Sequence, residues 1–181
     1  MVRFCLTLFL FASSLLAADP TLVPAVDLAK KWKRTKSLAA PVEKLRKGLV
    51  VEVNSTAAQP VEVKVDADTA CTFLNIQFHK NSAELTNAIT FAQLAEIAKG
   101  MTAAGTEHFL IEGHTCDLGG DQHNLTLSQN RALAVQAALT RLGVPAARLQ
   151  VIGFGASEPI VANTDEAART QNRRVQIFRK L

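Results

Sequence analysis

From Phe73 to the end of the chain, short runs of strand type alternate with longer segments of helical period, and this alternation restricts the fold more than any other feature. Phe73-Leu74-Asn75-Ile76-Gln77-Phe78 reads as a buried strand. Thr86 is placed to cap a helix carrying Phe91, Leu94, Ala95, Ala98 and Met101 at intervals of three and four, with Gly100 or Gly105 to end it. Phe109-Leu110-Ile111 is a second strand, running into a glycine-rich polar loop from Gly113 to Gly120. Asp121 to Leu142 predicts a long helix with Ser128, Ala132, Val135, Leu139 and Leu142 along its inward stripe, stopped by Gly143 and Pro145. Leu149 to Phe154 and Val175 to Phe178 supply two more strands, separated by a short helix over Asn163 to Gln171 with Asn163 or Thr164 as its cap. Such an order implies an α/β (α+β) two-layer sandwich, with helices packed on a mixed four-stranded sheet.

Upstream the pattern changes twice. Leu49-Val50-Val51-Glu52-Val53 and Val61-Glu62-Val63-Lys64-Val65 are valine-rich alternating runs around a polar connection, so residues 48–70 read as a β-hairpin that either joins the downstream sheet or stands as a small module. Residues 19–47 mix Pro20, Pro24 and Pro41 with a lysine-rich cluster and read as a linker with at most a short helix around Asp27 to Lys36. At the start, Arg3 precedes an apolar run from Phe4 to Leu16, followed by Ala17 and Ala18. That is the layout of a secretory signal peptide over residues 1–18, and the run is shorter than the roughly 20 residues a membrane-crossing helix needs. Cys5 lies inside the run, so no lipid-accepting cysteine follows it.

A net charge of +4 with histidines neutral, lowered by one when Arg3 leaves with the leader, does not mark a nucleic-acid binder. Cys71 and Cys116 remain after cleavage, and an oxidising compartment would allow them to pair.

The chemistry concentrates in Gly113-His114-Thr115-Cys116-Asp117-Leu118-Gly119-Gly120 and the helix after it. Asn124, Ser128 and Arg131 are spaced four and three apart and rise from one helix face near that loop. The planar guanidinium fork of Arg131 suits a carboxylate, and Asp117 on the facing loop offers the opposite charge for an ammonium. Together they fit the zwitterionic end of an amino acid. The plainer reading of Arg131 is an ion pair with Glu112 or Asp121, that of His114 a structural histidine, and that of Asn124 and Ser128 the ordering of the loop.

At these residues the chain resembles the OmpA-like C-terminal domain family, which also occurs in peptidoglycan-associated lipoproteins and flagellar stator proteins. The resemblance runs through Ile76-Gln77-Phe78 with Asn81 to Leu85, Gly113-His114-Thr115, Asn124 with Leu127-Ser128 and Arg131-Ala132, Gly153-Phe154-Gly155 with Glu158-Pro159, and Asn163 with Asn172 to Val175. It implies a wall-binding domain over residues 71–181, exported to the periplasm and associated with the outer membrane of a Gram-negative-type bacterium. The ligand it implies is the diaminopimelate of the peptidoglycan stem peptide, held without catalysis and without a cofactor or metal. Arg131 matches the family's carboxylate-binding arginine. The family's aspartate position after Gly-His-Thr holds Cys116 here, with Asp117 one residue later. His79-Lys80 also departs from the family's acidic-then-apolar pair, which makes the rim more basic. Thr115, Cys116, Asn124, Leu127, Ser128 and Asn172 complete the expected wall of the site.

Other readings remain. The domain would serve as an envelope protein-interaction module if the Cys116 substitution has removed wall binding. His114, Cys116, Asp117, Asp121 and His123 are potential metal ligands but lack paired spacing, and a cysteine hydrolase built on Cys116 with His114 or His123 would need groups that neighbours on one loop rarely align.

Overall fold

The computed structural model describes residues 22–33, 43–50, 59–73 and 76–181. The expected signal peptide, the hairpin connection and Leu74-Asn75 lie outside them. In chain order the elements are α1 (Ala25–Trp32), β1 (Glu43–Val50), β2 (Gln59–Phe73), α2 (Ala88–Ala103), β3 (Phe109–Gly113), α3 (Asp121–Arg141), β4 (Leu149–Gly153), α4 (Glu166–Asn172) and β5 (Val175–Lys180), with a single 3₁₀ turn at Ala146–Arg148.

The sandwich is the one expected. β3 and β4 run parallel, from Phe109 opposite Leu149 to Gly113 opposite Gly153, because α3 carries the chain back across the sheet between them. β5 lies antiparallel on the other side of β3, and β2 antiparallel on β5, which makes β2-β5-β3-β4 a mixed four-stranded sheet. The hairpin is not a separate module: β1 pairs along β2 from Glu43 opposite Asp66 to Val50 opposite Gln59, and then meets β4 at Leu49 opposite Gly153. The sheet thereby curls until its two ends touch.

That curl explains why every residue of β3 is buried. Successive strand side chains point to opposite faces. Phe109 and Ile111 pack with the helices, beside Val151, Ile177, Leu94, Ile97, Met101, Val135 and Leu139. Leu110 faces the other way and packs with Ile152, Phe154, Phe178 and the hairpin residues Val63 and Val65.

Five local expectations are corrected. The stretch Phe73 to Phe78 is not one strand among the described residues: β2 stops at Phe73, Ile76 drops into the core, and Phe78 makes an isolated bridge with Leu85. The cap of α2 is Asn87, whose side chain accepts from the Thr90 N–H, and Phe91 is 54% exposed. Gln93 takes an inward position instead, because its amide bonds both backbone groups of Val23 at the entrance to α1. Leu142 is likewise exposed, at the cap of α3. The cap of α4 is Asp165, accepting from Ala168 N–H.

The segment read as a linker contributes a packed helix. Leu28 and Trp32 of α1 enter the main core, and Gly100 lets α1 lie so close to α2 that a Cβ there would stand 2.8 Å from Leu28 Cβ.

Where α3 crosses the ends of β3 and β4 the contact is equally tight. A Cβ on Gly153 would stand 2.5 Å from Gln129 N, and one on Gly113 would run into the backbone of Ser128. Gly153→Ala is expected to lower the thermal midpoint by about 2–12 °C, from overpacking of about 1–3 kcal/mol in a chain of this size. Circular dichroism melting measures it, and an unchanged midpoint would show that the helix does not sit down on the sheet in this way.

Candidate ligand-binding cavity

β3 ends at Gly113, and the following loop stays pinned to the sheet, His114 N–H donating to Arg174 O and Thr115 N–H to Gly155 O. Asn124 completes the anchorage from α3, its amide donating to Leu118 O at 3.1 Å and Cys116 O at 3.4 Å. Ser128 Oγ accepts from Gly155 N–H at 2.8 Å and donates to Leu125 O. Asn124 and Ser128 thus hold the frame.

Beside this frame opens a cavity of about 230 Å³. Ile76, Gln77 and Phe78 form one wall, and His114, Thr170 and the guanidinium groups of Arg131, Arg173 and Arg174 form the rest. Arg131 is 8% exposed, lies with its cation 5.0 Å from the centre of the Phe78 ring, and donates through Nε to Ser82 O at 3.0 Å. Its two Nη groups are bonded to no described residue. Neither Glu112 nor Asp121 pairs with it, because Glu112 is taken by Arg46 on the far side of the sheet. Burial and the like charge of Arg173 push the Arg131 pKa down, as expected for a cation held away from water without a counter-ion.

The other two arginines are better partnered. Arg173 donates to Glu166 and Thr170 at 2.6 Å and has Cys116 Sγ 3.7 Å from Nη1. Arg174 donates to the carbonyls of Asn172 and Glu158 and to Gln176. Burial brings its pKa down to about 10, Glu112 opposing that shift and Arg46 adding to it. Beneath the cavity His114 is stacked on Phe154, 5.5 Å between ring centres, and burial lowers its pKa, so the ring stays neutral near pH 7.

The expected site residues do not all reach the cavity. Arg131 lines the cavity, and Cys116 adjoins it, buried against Arg173. Thr115 is buried in the loop, its hydroxyl without a partner among the described residues, and Leu127 is half-buried on α3. Asn172 does not line the cavity: its amide is fully buried, bonding Ile160 N–H, Val161 N–H, Val161 O and Asn163 Oδ1, and so shapes the loop before α4. Asp117 is 43% exposed and stands outside the cavity, its carboxylate gripped by Arg169 at 2.8 Å. The Arg169 hydrogen bond also holds its carboxyl below the usual carboxylate range. Reading residues alone missed Phe78, Gln77, Thr170, Arg173 and Arg174 as lining groups. The basic cluster at the chain end and the Ile76-Gln77-Phe78 run were visible, but nothing local joined them.

Cys71 and Cys116 are free, buried thiols. Among the described residues no three His, Cys, Asp or Glu side chains converge as a metal site, and no helix is long and apolar enough to cross a membrane.

Residues 77–173 match the OmpA family. The outer-membrane lipoprotein YfiB of Pseudomonas aeruginosa is 36% identical over 98 residues, which are 54% of this chain and 58% of that protein. Among solved structures, the peptidoglycan-associated lipoprotein of Burkholderia pseudomallei superposes with a TM-score of 0.51 at 33% identity, covering 57% of this chain and 85% of its own. The cell wall anchor of the type VI secretion system of Pseudomonas aeruginosa gives 0.54 at 26% identity, covering 61% and 80%. The chain therefore spans little more than half the length of YfiB.

Proposed function

Since the chain belongs to the OmpA family, we propose that it binds cell-wall peptidoglycan without catalysis, gripping a carboxylate of the stem-peptide diaminopimelate with Arg131. One observation carries this reading: a nearly buried guanidinium faces an open cavity with both Nη groups bonded to no described residue. Burying a cation without a counter-ion is costly, and a ligand carboxylate would relieve that cost through two parallel charge-assisted hydrogen bonds. Arg173, at the C-cap of α4, reinforces the attraction, with Thr115, Asn124, Leu127 and Ser128 placed in the loop and helix start beside the ligand. Asp117, tied to Arg169, is left out of the grip.

Relatives that are named as a peptidoglycan-associated lipoprotein and a cell wall anchor support the same polymer as ligand. The exported sequence pattern and an outer-membrane relative support a periplasmic, outer-membrane-associated location. One salt-bridged contact gives modest affinity, so firm attachment follows from several chains acting on one polymer.

Pelleting with purified sacculi tests the proposal. Arg131→Ala is expected to weaken retention about 10- to 150-fold, from the loss of about 1.5–3 kcal/mol of charge-assisted bonding. Arg131→Lys keeps the charge but loses the fork, so it recovers only part of the affinity. Equal retention of all three, at matched thermal stability, would sink the assignment of Arg131 and favour an envelope protein as the domain's partner.

A further inference from the structure

We infer that the cavity favours a carboxylate whose neighbouring amine is acylated over one whose amine is free, so that the preferred wall group is the cross-linked form of the diamino acid. The inference rests on the wall-binding reading and sharpens it to one chemical form of the ligand.

The charge inventory carries the argument. Three guanidinium groups line the cavity, and among the described residues no acidic side chain does. Four carboxylates around this end of the sheet and α4 are engaged by arginines: Glu112 and Glu158 by Arg46, Asp117 by Arg169, and Glu166 by the outer edge of Arg173. Next to Arg173, where an ammonium would need an anion, the structure puts the Cys116 thiol, a weak hydrogen-bonding group. Among the described residues Glu166 is the acid that pairs with a lining cation, and its side chain is 69% exposed and turned to solvent.

A free amino-acid end brings an ammonium within a few ångströms of its carboxylate. Once the carboxylate docks on Arg131, that ammonium meets Arg173 or Arg174 with no counter-charge, and like charges at such distances repel. Forming an amide at the same nitrogen turns it into a neutral N–H and leaves the carboxylate untouched. Cross-linking of stem peptides through this amine makes that change, so the acylated ligand keeps the attraction and loses the repulsion.

The test is a calorimetric titration of the full chain with diaminopimelate and with its mono-N-acetyl derivative. The acetylated form is expected to bind about tenfold more tightly, the equivalent of about 1.4 kcal/mol. Cys116→Asp, which puts a carboxylate beside Arg173, is expected to reverse the order. The comparison in the unsubstituted chain stands even if that variant folds poorly. Tighter or equal binding of the free diamino acid overturns this inference and leaves wall binding intact. If neither compound binds and sacculi do not retain the chain, the wall-binding reading falls with it.

Discussion

Arg46→Ala is expected to destabilise the protein by about 3–5 kcal/mol, the cost of stranding a buried charge whose partner has been removed. Arg46 lies on β1 and is 3% exposed, and its Nε and Nη2 donate to the two oxygens of Glu112 on β3 at 2.6 Å each. Glu112 has no solvent exposure, and it also meets the neutral His114 at 3.4 Å and feels the charge of Arg174. Nη1 of Arg46 reaches Glu158 at 3.0 Å, and the guanidinium lies 4.3 Å from the centre of the Phe154 ring. Burial opposes the charge on Arg46, but Glu112 and Glu158 outweigh that and hold its pKa above the ordinary value. Removing the arginine leaves a carboxylate deep in the sheet without a direct ion pair among the described residues, only the charge of Arg174 acting on it from nearby, and water cannot readily replace two short charge-assisted bonds.

The expected readout is a fall in melting midpoint of about 6–20 °C, with a matching drop in free energy from denaturant titration. A double replacement, Arg46→Met with Glu112→Leu, is expected to recover most of the loss, since an apolar pair carries no desolvation cost. A single variant within 1 kcal/mol of the parent would mean that the hairpin does not cover this face of the sheet.

Trp32→Ala is expected to cost about as much, about 3–5 kcal/mol, by opening a cavity in the main core. The indole is fully buried, meets the Phe109 ring edge-on at 5.0 Å, and donates Nε1–H to Thr69 O at 3.2 Å. Truncation removes the apolar contact and leaves the Thr69 carbonyl with only the weak Cys71 thiol as donor. Trp32→Phe keeps much of the volume and loses the hydrogen bond, so it is expected to fall between alanine and the parent. Denaturant unfolding followed by far-ultraviolet circular dichroism reads both, and a midpoint unaffected by Trp32→Ala would make α1 a bystander.

These two positions also show where reading the sequence stops. The helix at Asp121 to Leu142 was legible almost to the residue, as were the strands at Phe109, Leu149 and Val175, because each carries its own period and its own stop signals. The packing of α1 was not, since Leu28 and Trp32 are two apolar residues among lysines, and only α2 and β2 give them something to cover. For the same reason α2 was rotated in the sequence reading. Phe91 outranks Gln93 in apolarity, yet Gln93 turns inward because the backbone of Val23 meets it there.

The site divided along the same line. Arg131 was legible from its place three residues after Ser128 on the helix behind a glycine-rich loop, and the family pattern pointed to the same residue. Its surroundings were not. Asp117 looked like its natural counter-charge and instead meets Arg169, 52 positions later, while Arg173 and Arg174 come to the cavity from the other end of the domain.

What the amino-acid order determined by itself is therefore the succession of elements and the residue that bears the fork, because periodicity, capping and turn chemistry act over a few neighbouring positions. What only the tertiary structure decided is the pairing of charges: Arg46 with Glu112 across 66 positions, Asp117 with Arg169, and Arg131 with no acid among the described residues. Coulomb attraction depends on separation in space, and separations between distant residues exist only once the sheet has curled and the helices have been laid on it.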